Sequence, residues 1–379
     1  MHKSKKILAF SITIGVVILF ALQYIFKNKI IKAIETELPP NIVLNYSQLN
    51  TNILMGTIEL DSLSFNITHS DKKEFIEINA PRLKIVGIHL WQFIISKSIS
   101  IKEIIFENPD VHYYQTQKSK GNAEATTSKK QFNKSIKIGT ISIKNGSFKV
   151  LKRESNELIL SIDSINSSLI GLKTDGTILK NKIPFHYKSY RFNMKHFFMN
   201  TSAYDFLEIE TLNAEGGNLK LQNVSFKPKF TKQELSAKIA YERDHIQLDI
   251  PNLELFELDL DLSKEKLFFT AKNTKLINPK LDVYRDKRVT DDSTIKSMYS
   301  KMLRDLSFKF ILTDIKLKRG NINYSEKVEN TDKAGEIFFD NVNASIINLS
   351  NTENSKLTSI SASSEFMGKA KMHLDISFD

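Results

Sequence analysis

Apolar residues at every second position, in stretches that themselves recur in one order, constrain this chain more than any other feature. Gly56 to Phe65 matches Gly217 to Phe226, and Ile58, Leu60, Leu63 and Phe65 all fall on apolar partners. Ile76 to Tyr114 aligns without a gap with Ile246 to Tyr284, pairing Pro81 with Pro251 and Asn108-Pro109 with Asn278-Pro279. Ile136 to Val150 aligns with Phe310 to Tyr324, setting Gly146 on Gly320, and Asp163 to Ile170 aligns with Asp340 to Ile347. The offsets grow slowly, from 161 to 177. Four blocks in one order imply two copies of one unit in series. Within the blocks the period is two, as in Ile141 and Ile143 or Ile315 and Leu317, which describes strands apolar on one face and wet on the other. The phase slips between Ile138 and Ile141 and between Leu312 and Ile315, so a bulge or bend is expected at the same place in both copies.

Asn145-Gly146 reads as a hairpin turn, because both residues tolerate positive φ, with Arg319-Gly320 as its weaker counterpart. Helices are few. Lys27 to Leu38 carries Ile30, Ile31, Ile34 and Leu38 at helical spacing and stops at Pro39-Pro40. Residues 294–306 set Ile295, Met298, Tyr299, Met302, Leu303 and Leu306 on one stripe behind the cap-competent Asp291-Asp292-Ser293. This helix is an insertion in the second copy; a Gly-, Ser-, Thr- and Lys-rich mobile loop, 116–131, takes the same hairpin position in the first.

Ile7 to Phe26 is a run without a charge, interrupted by Ser11, Thr13, Gly15 and Gln23. Twenty residues at ~1.5 Å rise span a hydrocarbon core of about 30 Å, so the run reads as a transmembrane helix. A cleaved signal peptide is the alternative, but its apolar region should be shorter and end at a small-x-small site, whereas this run ends in Tyr24-Ile25-Phe26-Lys27. His2, Lys3, Lys5 and Lys6 keep the tip cytoplasmic, and either way the body is exported. The expected organisation is a tip and anchor (1–26), an amphipathic helix (27–40), a first β unit (41–215) and a second (216–379). The second breaks off inside the strand-like Ile376 to Asp379, so either the chain is shortened or the second copy is.

A net charge of +11 is mostly Lys spread along the chain, with no RNA-recognition signature and no basic helix suited to a groove. That pattern favours a membrane-facing role over nucleic acid. Lys118, Lys120, Lys129, Lys130 and Lys134 of the loop face a single Glu124 and are candidates for contact with anionic head groups. With no cysteine, disulfides and thiol chemistry are excluded. The eight histidines show no metal-ligand spacing, and no nucleophile elbow or phosphate-cradling loop occurs, so no catalytic, cofactor or metal residue is assigned. Glu257, Asp259 and Asp261 read as the wet face of a strand whose other face is Phe256, Leu258, Leu260 and Leu262. Trp91 and the aromatics at His112 to Tyr114 read as packing at strand ends.

The anchor with its following helix, the Gly56 to Phe65 strand, Ala80 to Phe93, Ile99 to Tyr114 with its Asn-Pro, and Ile141 to Val150 together resemble the AsmA-like family of bacterial envelope proteins. That family is related in architecture to bridge-like lipid-transfer proteins, and the likeness covers essentially the whole body. It implies a mainly β protein with an elongated, curled antiparallel sheet forming an apolar groove. It further implies anchoring in the inner membrane, a periplasmic body in a Gram-negative bacterium, and phospholipid held or transferred in support of outer-membrane biogenesis. No catalytic residue or cofactor is inherited. The expected lining is Ile58, Leu60, Ile99, Ile101, Ile141, Ile143, Leu219, Leu221, Ile315 and Leu317. Alternation alone also allows a closed β core serving as an envelope scaffold that acts through other envelope proteins.

Overall fold

A computed structural model describes residues 20–32, 38, 41–68, 75–89, 98–115, 135–178, 183–261, 267–293, 299–352 and 356–378. The protein is mainly β, with a large and mostly antiparallel sheet. The chain divides into two compact units, Met1–Leu158 with Ser164–Tyr190, and Ile159–Asp163 with Arg191–Asp379. The sequence places the junction of its two copies later, at 215–216.

In the first unit a helix, α1 (20–32), precedes β1 (Ile42–Asn45), β2 (Gln48–Asn52), β3 (Thr57–Thr68), β4 (Phe75–Ile88), β5 (Ser98–Glu107), β6 (Asp110–Gln115), β7 (Ser135–Lys152) and β8 (Leu158–Thr174), whose residues are shared between the units. β1 and β2 lie end to end along one edge of β3, and β4 covers the other edge. β5 and β6 continue one another along β4, antiparallel to it, and both run parallel to β7. Parallel neighbours need a long crossover. The parallel pairing of β6 with β7 therefore excludes the expected hairpin between them; the expected loop, 116–131, lies outside the described residues.

The second unit holds β9 (Ser189–Asn200), β10 (Asp205–Glu215), β11 (Asn218–Pro228), α2 (Lys232–Lys238), β12 (His245–Phe256), β13 (Asp259–Asp261), β14 (Phe268–Ile277), β15 (Lys280–Asp286), α3 (Tyr299–Arg304), β16 (Lys309–Lys327), β17 (Gly335–Ser350), β18 (Thr358–Phe366) and β19 (Ala370–Phe378). β9 to β12 form an antiparallel ladder, β14 and β15 continue one another along β12 and run parallel to β16, and β16 to β19 are again antiparallel. The expected helix at 294–306 is described only as α3; 294–298 lie outside the described residues, and a crossover replaces the expected hairpin here too.

Long strands here bend without ending. Ser62 (φ 51°) stands opposite Pro81, in the gap between the pairs Asp61–Arg82 and Leu63–Ala80. Pro81 stands opposite Asn108 (φ 46°), where β5 gives way to β6, and Asn108 opposite Asn145 (φ 52°) of β7. In the second unit the corresponding line is Asn223 (φ 51°), Pro251, Asn278 (φ 55°) and Arg319 (φ 53°). The backbone bonds along these lines also correspond. Asn108 N–H donates to Lys144 O at 2.8 Å and Ser147 N–H to Pro109 O at 2.7 Å, while Asn278 N–H donates to Lys318 O and Asn321 N–H to Pro279 O, both at 2.9 Å. The expected turns at Asn145-Gly146 and Arg319-Gly320 are thus bends inside β7 and β16. The positive φ that suits Asn to a hairpin equally suits it to a mid-strand bend, and pairing on both sides of the bend keeps the strand intact.

A second line crosses each unit near the opposite strand ends. It passes through Gly56, Gly87, Lys102 and Gly139 in the first, and through Gly217, Glu257, Lys272 and Thr313 in the second. These are the places where the apolar phase slips. The pairs Lys102–Gly139 and Lys272–Thr313 drop out of the ladder while the register on either side is unchanged, so the feature is a bend with no inserted residue. At Gly139 the approach is so close that a Cβ would lie 2.5 Å from the Lys102 carbonyl oxygen.

Each left-handed residue shifts the alternation by one, so side chains three apart across a bend share a face. Leu60 and Leu63 belong to one buried cluster, with Leu49 and Ala80. Leu255 and Leu258, on either side of Glu257, belong to another with Ile209, Leu221 and Ala271. Glu257 therefore does not share a strand with Asp259 and Asp261, and Leu260 is exposed, which corrects the expectation of one continuous two-faced strand there. Ser62 is exposed and pays the full left-handed strain of a residue with a Cβ. We expect Ser62→Val to cost about 1–2 kcal/mol and Ser62→Gly to be neutral or stabilising, measured by denaturant unfolding of the two variants.

Candidate functional site

Cross-strand partners point to the same side of a sheet, so the registers assemble the apolar residues into rows. In the first unit one row is Ile58, Ile85, Ile104 and Ile141, and the next is Leu60, Leu83, Phe106 and Ile143. Ile99 and Ile101 lie beyond the bend, paired with Ile136 and Ile138. In the second unit Leu219, Leu255, Thr274, Ile315, Ile346, Ile360 and Ile376 form one row. Beside it run Leu221, Leu253, Leu276, Leu317, Ala344, Ala362 and Leu374. Ile58, Leu60, Ile141, Ile143, Leu219, Leu221, Ile315 and Leu317 therefore sit in these rows, each within its own unit, and Ile99 and Ile101 sit in the apolar pairs beyond the bend. Leu60, Leu221 and Ile315 are buried, whereas Ile58, Ile99, Ile101, Ile141, Ile143, Leu219 and Leu317 are only half-buried. The expected lysine contacts, Lys118, Lys120, Lys129, Lys130 and Lys134, lie outside the described residues, as do Trp91 and most of Ile7 to Phe26.

One polar residue interrupts the rows. Thr274 is 4% exposed and its Oγ1 has no hydrogen-bond partner among the described residues.

A polar rim closes one end of the second unit's face. The Arg285 guanidinium grips Asp244 with two bonds of 2.6 and 2.7 Å and lies 3.9 Å from Glu242, which Lys287 approaches at 2.8 Å. Asp244 holds the Arg285 pKa above its ordinary value despite partial burial. Arg243 donates to the buried Asp205 at 2.7 Å. Asp286, 5% exposed, accepts from Arg288 Nε and Nη2 at 2.8 and 2.7 Å, and this grip, helped by the Ser236 hydroxyl, holds its carboxyl well below the usual range. Burial pushes the His245 pKa down, and its Nε2 lies 3.1 Å from Phe230 O. These charges compensate one another, so they fix strand ends and carry no free charge toward a ligand.

Two local devices escaped the sequence expectations. Thr231 and Glu234 form both bonds of a capping box, which explains how a seven-residue α2 persists, and their spacing was the available signal. Asn351 is 1% exposed, accepts from Phe310 N–H at 2.8 Å and donates to Leu303 O and Phe308 O at 3.0 and 2.8 Å. It ties the end of α3 to the start of β16, beside the stacked rings of Phe269, Phe308 and Phe310. No sequence pattern announces such a residue.

Clefts of about 440 and 380 Å³ in the second unit are lined mainly by polar side chains, with Asp163, His196, Glu208 and Lys227 in the first and Lys316, Asn343 and His373 in the second. No group of His, Asp or Glu among the described residues is placed to hold a metal ion. Among the described residues no helix is long and apolar enough to cross a membrane. No protein-family model matches the chain, and no curated protein and no solved structure matches it.

Two outcomes are expected. Thr274→Val should raise stability by about 1 kcal/mol, because an unpaired buried hydroxyl is replaced by a methyl of the same shape, seen as a higher denaturation midpoint. Asp286→Asn should be less stable than the wild type at about pH 7, with the gap shrinking as pH falls below about 3.9 toward the lower folded-state value. The sign follows from a carboxylate whose folded pKa is depressed: its contribution is complete above the unfolded pKa and lost on acidification. Equal gaps at about pH 7 and about pH 3 in parallel denaturant titrations would contradict it.

Proposed function

We propose that this chain is a non-enzymatic, membrane-anchored envelope protein whose apolar sheet face holds or transfers phospholipid, as its resemblance to the AsmA-like family implies. The observation that carries the reading is the set of apolar rows, interrupted only at Thr274, whose side chains remain mostly half-buried. A protein interior normally closes over such side chains, burying most of them. Half-buried rows leave apolar surface free for acyl chains, with head groups left in water, so transfer needs no bond making and no cofactor.

On the same reading the two units descend from one duplicated element. The supporting observation is the match between bend lines, at Ser62, Pro81, Asn108 and Asn145 and again at Asn223, Pro251, Asn278 and Arg319. Asn145 N–H donates to Asn166 Oδ1 at 3.0 Å as Arg319 N–H donates to Asn343 Oδ1 at 3.2 Å, between positions already paired by the sequence alignment. On this reading the uncharged run Ile7 to Phe26 is the anchor, and the resemblance to the AsmA-like family implies that it sits in the inner membrane of a Gram-negative bacterium with the body in the periplasm.

The test is a photo-crosslinking residue at Ile143 or Leu317, irradiated in cells, followed by mass spectrometry of the purified chain. Phospholipid adducts at these positions, and none at the exposed Lys144, are expected. Absence of adducts together with absence of co-purifying lipid sinks the groove. A second measurement separates groove from closed core. Ile143→Asp and Leu317→Asp should remain folded yet impair envelope integrity, because a face open to lipid or water tolerates a charge that a dry core does not. Unfolding of both variants would favour the closed scaffold.

A further inference from the structure

We infer that the turn between β2 and β3, residues 53–56, enters the interfacial layer of the lipid bilayer beside α1, as a second point of membrane contact. The inference rests on the anchored reading above and adds to it a site on the β body. It starts from Gln23, a polar interruption in the run from Ile7 to Phe26 and a member of α1. Gln23 Nε2 donates to Thr51 Oγ1 at 2.8 Å and to the Thr51 carbonyl, and its Oε1 accepts from Ile53 N–H at 2.8 Å. Further along α1, Ile30 and Ile31 pack against the cluster of Leu49, Leu60, Leu63 and Ala80. Helix and hairpin are thus fastened at two heights.

Gln23 fixes the depth. It lies three residues inside the end of the uncharged run, which at ~1.5 Å per residue is about 4.5 Å below the level of Phe26. The turn that Gln23 holds is therefore level with the apolar run, while Lys27, Lys29 and Lys32 follow at the height where anionic head groups would meet them.

The turn itself is suited to that layer. Leu54 and Met55 are 76% and 70% exposed, and Phe20 and Tyr24 of α1 are comparably bare. Apolar tips alone would be a weak argument, but the backbone is also prepared. Ile53 N–H is satisfied by Gln23, and the N–H groups of Leu54 and Met55 both donate to Asn52 Oδ1 at 3.1 Å. No backbone N–H of these three residues is left for water to satisfy, which removes the donor part of the cost of placing this backbone in a drier interfacial layer.

The absence of cysteine makes the test direct. Full-length Met55→Cys, Tyr24→Cys and Ser155→Cys would each carry an environment-sensitive fluorophore in vesicles of phosphatidylethanolamine and phosphatidylglycerol. Nitroxide-labelled lipid is the quencher. Ser155 lies in the turn after β7, at the opposite ends of the strands from the β2–β3 turn, and serves as the aqueous reference. The expected result is several-fold quenching at Met55 and Tyr24 and none at Ser155. Quenching at Tyr24 with none at Met55 overturns the inserted turn and leaves the anchor standing. No quenching at either position overturns both.

Discussion

The structure depends on carrying a hydrogen-bonded ladder through a bend without breaking it. A strand of sixteen to nineteen residues, such as β7, β16 or β17, accumulates twist that a flat ladder cannot absorb. Here much of the strain is gathered into left-handed residues lined up across neighbouring strands, as at Ser62, Asn108 and Asn145 with Pro81 between, and at Asn223, Asn278 and Arg319 with Pro251 between. In the ladders from β3 to β7 and from β11 to β16 the aligned bends keep the register, whereas β16 with β17 and β17 with β18 shift by one residue at the bend; a proline, which has no N–H to donate, can stand in the line at Pro81 and Pro251.

The same device decides which side chains meet. Without the phase shift at Asn223, Leu221 and Val224 would point to opposite faces; with it, both pack in one cluster. A plain two-residue period maintained over a whole strand would have produced an apolar face that switched sides at every bend. The apolar residues are instead spaced by three at bends such as Leu60 to Leu63 and Leu255 to Leu258, which is why the rows cross up to seven strands with Thr274 as their one polar member. Compensated charge clusters hold the strand ends, where Arg285, Asp244, Glu242 and Lys287 form one rim and Asn351 stitches α3 to β16.

Much of this was legible in the sequence for a physical reason. Period two and its slips record one-sided burial, so β content, the apolar rows and the bends near Gly139 and Thr313 could all be read from spacing. Asn145-Gly146 was misread because turn chemistry is local, reporting a permitted φ and not whether the chain reverses. Parallel pairing of β6 with β7 and β15 with β16 was missed because strand direction is set by distant partners. Thr231 and Glu234 offered a local signal that the repeat pattern overshadowed. Asn351 offered none, since its role exists only once three segments converge.

Half-burial then acquires meaning from the bends. A sheet that keeps its apolar rows on one face through successive bends has already met the steric cost of organising that face, yet leaves Ile141, Ile143 and Leu317 partly open. Each partly open aliphatic side chain forgoes stabilisation of roughly 25 cal/mol per Å² of apolar surface left in water. Repeating that loss along rows of several strands is hard to reconcile with folding alone and is relieved if acyl chains cover the face. The proposed insertion of Leu54 and Met55 extends the logic to the membrane. Gln23 ties the β2–β3 turn to α1, so on the anchored reading an apolar row beginning there would start where lipid is available.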